Sequence, residues 1–360
     1  MTIKRLTLLG GYLALALALL GIAPAVLGSF QLNLLGRFCC YALVAVGIGL
    51  AWGRGGMLTL GQGVYFGLGA YPMAMHLKLA DAGPGEVPDF MSLYGDGTMP
   101  GWWEPFRSPV IALAAVVVVP AVVSGLLGFA LFKRKVKGAY FAILSQALAI
   151  AFALLLVGNI TATGGTNGLN GFRSFFGYNL YDPVNQRMLF FFAAGALLAA
   201  LALMGLLYRS RYGELLVAVR DAEERVRFLG YDPANIKVVA YVVSAVLAGI
   251  GGALFVPIAG IISPSAVGAV PSIAFIIGVA LGGRANLLGP ALGAIAVGWA
   301  QNSLSDAFPS FWSYFQGALF VVVIALLPGG LAELPAAVGR WLNWARKPLH
   351  PALSPEEVAA

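Results

Sequence analysis

Neutral hydrogen-bonding side chains recur inside stretches that are otherwise apolar, and these are the residues that could do chemistry here. Gln62 and Tyr65 lie three apart in the glycine-rich run 53–71. Tyr140, Ser145 and Gln146 sit in a second apolar stretch, and Asn159, Thr161, Thr163 and Asn167 crowd its far end. A fourth cluster, 281–290, carries Arg284 and Asn286 between glycines. Amides and hydroxyls can hydrogen-bond a small uncharged solute, or they can tie helices to one another. Either use is binding, not catalysis. No Ser/His/Asp or Cys/His set is placed for nucleophilic attack. No GxxxxGK[ST] phosphate loop is present, so the chain carries no ATPase site of its own. Asp306 lies at a helix end and the other carboxylates fall in loops or tails, so the spans are expected to hold no ionisable coupling group. Cys39 and Cys40 are adjacent, and His76 and His350 are isolated. Neither pattern makes a disulfide framework or a metal site.

The elements that must hold these residues are membrane spans. The chain has 360 residues, 60% hydrophobic and 10% charged, against about 25% charged in a soluble domain. An all-α polytopic membrane protein is the expected fold class. Candidate spans cover 6–27, 32–52, 57–78, 109–132, 138–158, 188–208, 238–259, 271–282, 289–306 and 312–328, about ten, with eight to ten admissible. The 271–282 segment is short of the ~20 residues needed to cross, and 57–78 is interrupted by glycines; both read as broken or re-entrant. Lys4-Arg5 followed by an apolar run resembles a cleaved leader, but the run continues to Leu27, long enough to span, and is read as a retained helix.

Orientation follows from the basic residues. With the N-terminus inside, only Arg37, Lys78, Arg107, Arg173 and Arg187 of the 22 lysines and arginines fall near the outer side. The +7 charge is then a topology signal and not a nucleic-acid footprint. Residues 1–330 form the spanning domain, with outer loops 79–108 and 159–187, a cytoplasmic loop 209–237 and a cytoplasmic tail 331–360. Trp102 and Trp103 read as interfacial anchors or as a docking rim.

The 209–237 loop is charged and amphipathic. Leu215, Val219, Ala222, Val226 and Leu229 recur at helical spacing, which predicts one apolar face. Arg220–Glu224, Asp221–Arg225 and Glu223–Arg227 stand at i,i+4, which predicts three ion pairs on the other. Gly230 and Asp232-Pro233 supply a stop and a turn. A short charged helix between two spans is a surface for something in the cytoplasm to touch.

Four motifs in order resemble one family. Gly55-Gly56-Met57-Leu58-Thr59-Leu60-Gly61-Gln62-Gly63 through Tyr71 resembles the "SLGxxxFxGxGAY" signature of LivM-type permeases, the membrane subunits of bacterial branched-chain amino acid ABC importers. Residues 163–169 resemble its "TGGxxGL" motif, 281–294 its "GGxGTLxGPxxGA" motif, and 209–230 its coupling loop. Arg284 departs from the small residue usual there. Flanking residues 51–56, 88–91, 103–106 and 136–147 resemble the urea-permease branch. The resemblance implies an inner-membrane permease that pairs with a homologous permease, receives solute from a periplasmic binding protein and is driven by two ATP-binding subunits. ATP and magnesium would be used by those subunits, with no cofactor on this chain. It also implies a coupling helix at 213–229, with Gly213, Glu214, Leu215, Val219, Arg220, Asp221, Ala222, Glu223, Val226 and Leu229 as its contact residues. Urea or a short-chain amide is the leading solute, since the spans offer few charges; branched-chain amino acids are the alternative. A passive urea channel or secondary transporter is the reading from a different class, and a membrane enzyme or scaffold a further one.

Overall fold

A computed structural model describes residues 2–307, 314–318, 321 and 330. The 312–328 span is described only at 314–318 and 321, and the 331–360 tail lies outside the described residues. Ten long helices organise the described residues: α1 Thr2–Leu17, α2 Ser29–Ile48, α3 Gln62–Ala82, α4 Pro109–Lys133, α5 Ala139–Gly158, α6 Pro183–Arg209, α7 Arg211–Phe228, α8 Pro233–Ala259, α9 Ala269–Gly282 and α10 Gly289–Ala307. Their starts are written locally. Asp182 caps α6 through the Val184 N–H with Pro183 at the first position, and Asp232 caps α8 through the Ala234 N–H with Pro233 behind it. A side-chain acceptor satisfies one orphan N–H, and proline there lacks the N–H that would go unpaired.

Seven helices among the described residues are long and apolar enough to cross a membrane: Leu9–Val26, Ser29–Arg54, Pro109–Lys133, Ala139–Gly158, Pro183–Arg209, Pro233–Ala259 and Pro264–Gly282. Seven of the about ten expected spans thus meet length and apolarity among the described residues. Helix α3 is the informative exception. It is not among the seven, yet nearly all of its residues are buried inside protein, so its polar groups meet neighbouring helices. The 57–78 span is corrected to 62–82, with 55–61 non-helical below it. The 271–282 segment is helical over Ala269–Gly282, 14 residues or ~21 Å of rise, extended by a 3-10 turn at Pro264–Ala266.

The core is the crossing of α3 on α8, flanked by α2. A Cβ at Gly69 would run into the Gly249 carbonyl, and one at Gly252 into the Phe66 carbonyl, so both backbones touch where only glycine fits. The Gly63–Gly67 pair meets Val267 in the turn before α9, Ser272 of α9 and Phe152 of α5. Rings of Tyr41, Phe66, Phe255 and Phe275 pack between these helices at 5.3–6.3 Å. Helices α4 and α5 turn rows of large apolar side chains outward, including Val118, Leu126, Phe129, Ile143 and Leu154. At the end opposite α7, β1 (Leu169–Asn170) pairs antiparallel with β4 (Ile261–Ile262), and β2 (Ser174–Phe175) with β3 (Tyr178–Asn179). Trp103 is fully buried there beside Phe90, so only Trp102 is an exposed tryptophan of the pair.

Candidate functional site

Helix α2 ends in a π turn, Gly49–Arg54, and the backbone stays irregular to Gly61. Irregular backbone survives inside an apolar body only where protein or water satisfies its polar groups. Side chains do so here. The Leu60 N–H donates to Ser145 Oγ at 3.0 Å, and Ser145 Oγ donates to the Ala142 carbonyl at 2.8 Å. The Gly63 N–H donates to Ser272 Oγ at 3.0 Å. Gln62 Nε2 donates to Ser244 Oγ at 3.0 Å, and Tyr65 Oη bonds Tyr241 Oη at 2.8 Å. Ser244 stands 11 residues along α8 from Pro233, a rise of ~16 Å, so α3 starts about halfway along α8. The Gln62 carbonyl oxygen is buried with no hydrogen-bond partner among the described residues, as is Gln146 Oε1.

This polar belt takes in Gln62, Tyr65 and Ser145 and leaves other expected pathway residues out. Tyr140 is 75% exposed on the outward apolar face of α5. Asn159 donates to the Leu155 carbonyl, Thr163 to Leu156 and Asn159 carbonyls, and Asn167 to Tyr94 Oη. With exposed Thr161 these close the end of α5 instead of joining the belt. Grouping by apolar surroundings missed the distinction, because a helix terminus needs the same amides and hydroxyls as a solute does. It also missed Ser244, Tyr241 and Ser272, which were legible as polar residues in apolar helices. An arginine does lie within a span: Arg37 belongs to α2, correcting the expectation of an uncharged interior.

The second part of the site is α7. Ser210 caps it by accepting the Gly213 N–H at 3.2 Å. The helix breaks its own regularity at Ala222, φ −151 and ψ 62. That kink corrects two expectations. The buried residues are Gly213, Leu216, Val219 and Val226, while Leu215 is only half-buried and Leu229, past the helix end, is 76% exposed. The Arg220–Glu224 and Asp221–Arg225 pairs would bridge the kink and do not form. Arg220 instead binds Asp221 at 2.7 Å. Glu223–Arg227 lies wholly beyond the kink and forms at 3.2 Å. Glu223 also takes Lys237 at 2.8 Å and Lys137 at 2.9 Å. Burial pushes its carboxyl up, but Lys237 and Lys137 outweigh that and hold it below its usual range. Lys133 pairs with Asp232, whose carboxyl that lysine holds low. The helix closes with Gly230 at φ +88, Tyr231 N–H on the Val226 carbonyl and Gly230 N–H on the Arg227 carbonyl, a two-bond glycine stop.

Helix α7 touches the broken segment directly. Arg220 Nη1 donates to the Gly53 carbonyl at 2.6 Å, inside the π turn of α2. Around the same turn, Arg54 stacks on Tyr208 at 4.3 Å and Arg284 on Trp52 at 5.0 Å. A Cβ on Gly53 would collide with the Arg284 carbonyl. Three arginines from three segments therefore converge where α2 stops being α-helical. The exposed side of α7 ends in Phe228, 90% exposed, with Leu229 and Tyr231. No group of three or more metal-ligating side chains exists among the described residues.

Residues 30–324 match the family described as "Branched-chain amino acid transport system / permease component". The chain is 27% identical over 318 residues to the "High-affinity branched-chain amino acid transport system permease protein LivM" of Salmonella typhimurium, covering 82% of this chain and 68% of that one. It is 28% identical over 331 residues to the protein of the same description from Escherichia coli, covering 85% and 71%. No solved structure matches the chain.

Proposed function

The chain belongs to the branched-chain amino acid permease family of multi-pass ABC transport components, and from that premise we propose that it imports branched-chain amino acids under the drive of separate ATPase subunits. The observation that carries the coupling is the Arg220–Gly53 bond, which braces α7 on the break between α2 and α3. A push on α7 reaches the start of α3 through one side chain. The end bearing α7 is cytoplasmic in this reading, by its basic residues, and the β1–β4 end faces outward. Phe228, Leu229 and Tyr231 are the apolar contacts offered to an ATP-binding subunit, and ATP with magnesium acts there. A periplasmic binding protein delivers solute to the outward end, and a homologous permease covers one of the outward apolar helix faces in the inner membrane.

The substrate reading draws on the descriptions of the relatives and on two helix starts within the body. Helices α3 and α9 begin beside one another, joined by the Gly63–Ser272 bond. Helix N-termini favour anionic groups such as a carboxylate. Urea is the second reading, favoured by the neutral belt of Gln62, Tyr65, Ser145 and Ser244. Uptake of labelled leucine and labelled urea by cells with and without this chain separates them. Chain-dependent leucine uptake is expected; chain-dependent urea uptake without leucine uptake would reverse the assignment.

A further inference from the structure

Arg37 has no role in the coupling just described, and its placement is costly. It stands eight residues into α2 from Ser29, roughly 12 Å along the axis. A charge at such depth marks a solute route by default. It is not a loose side chain reaching for the surface. Arg37 Nε donates to Asn33 Oδ1 at 3.1 Å, and Asn33 Nδ2 donates to the Ile258 carbonyl at 2.9 Å. The guanidinium is held from one edge, and its other nitrogens form no hydrogen bond among the described residues.

Arg37 lines a cavity of about 220 Å³ with Tyr41, Gln301 and Asn302. That cavity shares Tyr41, Gly298 and Gln301 with a neighbour of about 210 Å³, floored by Phe66 and Phe275 and edged by Ser265 and Gln316. The two make one cleft between α2, α9 and α10. It runs from a fixed cation, through amides, to an aromatic floor, and among the described residues no Asp or Glu lines either part.

We propose that this cleft binds a branched aliphatic amino acid, with its carboxylate on the Arg37 guanidinium and its side chain on Tyr41, Phe66 and Phe275. The inference rests on the substrate reading above. Arginine presents a fork of donors that matches a carboxylate. The amide oxygens of Gln301 and Gln316 and the Ser265 hydroxyl accept from the ammonium group. A neutral amide such as urea would leave the cation without its counter-charge and the aromatic floor uncovered.

The test is photolabelling of the full importer in membranes with a diazirine analogue of leucine, alongside leucine uptake. Label is expected on the peptides around Tyr41, Phe66 or Phe275. Leucine and 4-methylpentanoate, which keeps the carboxylate alone, should compete; isoamylamine and urea should not. Arg37→Gln should weaken labelling and leucine uptake by roughly 10- to 100-fold, the worth of a hydrogen bond to a charged group, with Arg37→Lys recovering part. Val270 lines the cleft and is largely exposed, so Val270→Trp blocks the cleft without disturbing the core and should also abolish labelling. Wild-type leucine uptake with label elsewhere, or label indifferent to both substitutions, would overturn the cleft and leave the substrate reading standing. Absence of leucine uptake in the wild type would overturn both.

Discussion

Arg220→Ala isolates the contact proposed to carry energy coupling. The substitution removes the 2.6 Å bond to the Gly53 carbonyl and the packing of the arginine stem on Gly56. A hydrogen bond to a charged donor contributes about 1.5–3 kcal/mol. The Arg220 side chain keeps 35% of its surface exposed and shares its charge with Asp221, so solvent screening lowers the figure to about 1–2 kcal/mol. If that bond links α7 to the α2–α3 break, its loss cuts the coupling between ATP hydrolysis and transport by roughly 5- to 30-fold. The assay is leucine delivered per ATP hydrolysed in proteoliposomes holding the full importer. ATPase activity should persist while that ratio falls. Arg225→Ala, an exposed residue of the same helix, is the control and should leave the ratio unchanged. A wild-type ratio for Arg220→Ala, at equal abundance in the membrane, would refute the reasoning.

Three further outcomes follow from the same geometry. Replacing both Phe228 and Leu229, 90% and 76% exposed, by Ala should leave thermal unfolding of the detergent-solubilised chain unchanged. Co-purification with the ATP-binding subunits should weaken by about tenfold or more, as for apolar anchors of an interface. Gln62→Leu removes a buried carbonyl that has no partner, at the cost of one bond to Ser244, so the unfolding temperature should hold or rise while leucine uptake falls. Glu223 has a folded pKa held below its ordinary 4.5. Its contribution is then complete above that value and is lost as pH falls through the lower folded one. Amide exchange protection of α7 should stay constant from neutral pH to about 4.5 and drop below it. Glu223→Gln should show the low-pH exchange pattern already at neutral pH.

Much of this architecture was legible in the residues, and the gaps have physical causes. Gly230 and Asp232-Pro233 marked the end of α7 and the turn after it, because stops are local. The starts of α6 and α8 at Pro183 and Pro233 lie five residues before the expected 188 and 238, where a hydropathy reading passes over the polar first turn. The kink at Ala222 was not legible, since alanine is the best helix former and the break answers to tertiary contacts. With it went the expected face and two of three ion pairs. Helix α3 was foreseen as the glycine-interrupted span 57–78 but begins at Gln62 and runs to Ala82, because its bounds answer to the protein it is buried in and not to hydropathy. Arg37 sat inside the predicted span 32–52 and could have been singled out as a buried charge. The cation stacks at Trp52 and Tyr208 join residues more than 150 positions apart, which no spacing pattern encodes.

Reconstitution into liposomes tests the central claim most directly. Leucine accumulation against a gradient should require ATP, the binding protein and the ATP-binding subunits together with this chain. The chain reconstituted by itself should leave leucine and urea outside. Rapid equilibration of either solute through the chain alone, with no ATPase present, would contradict the account and identify a passive channel.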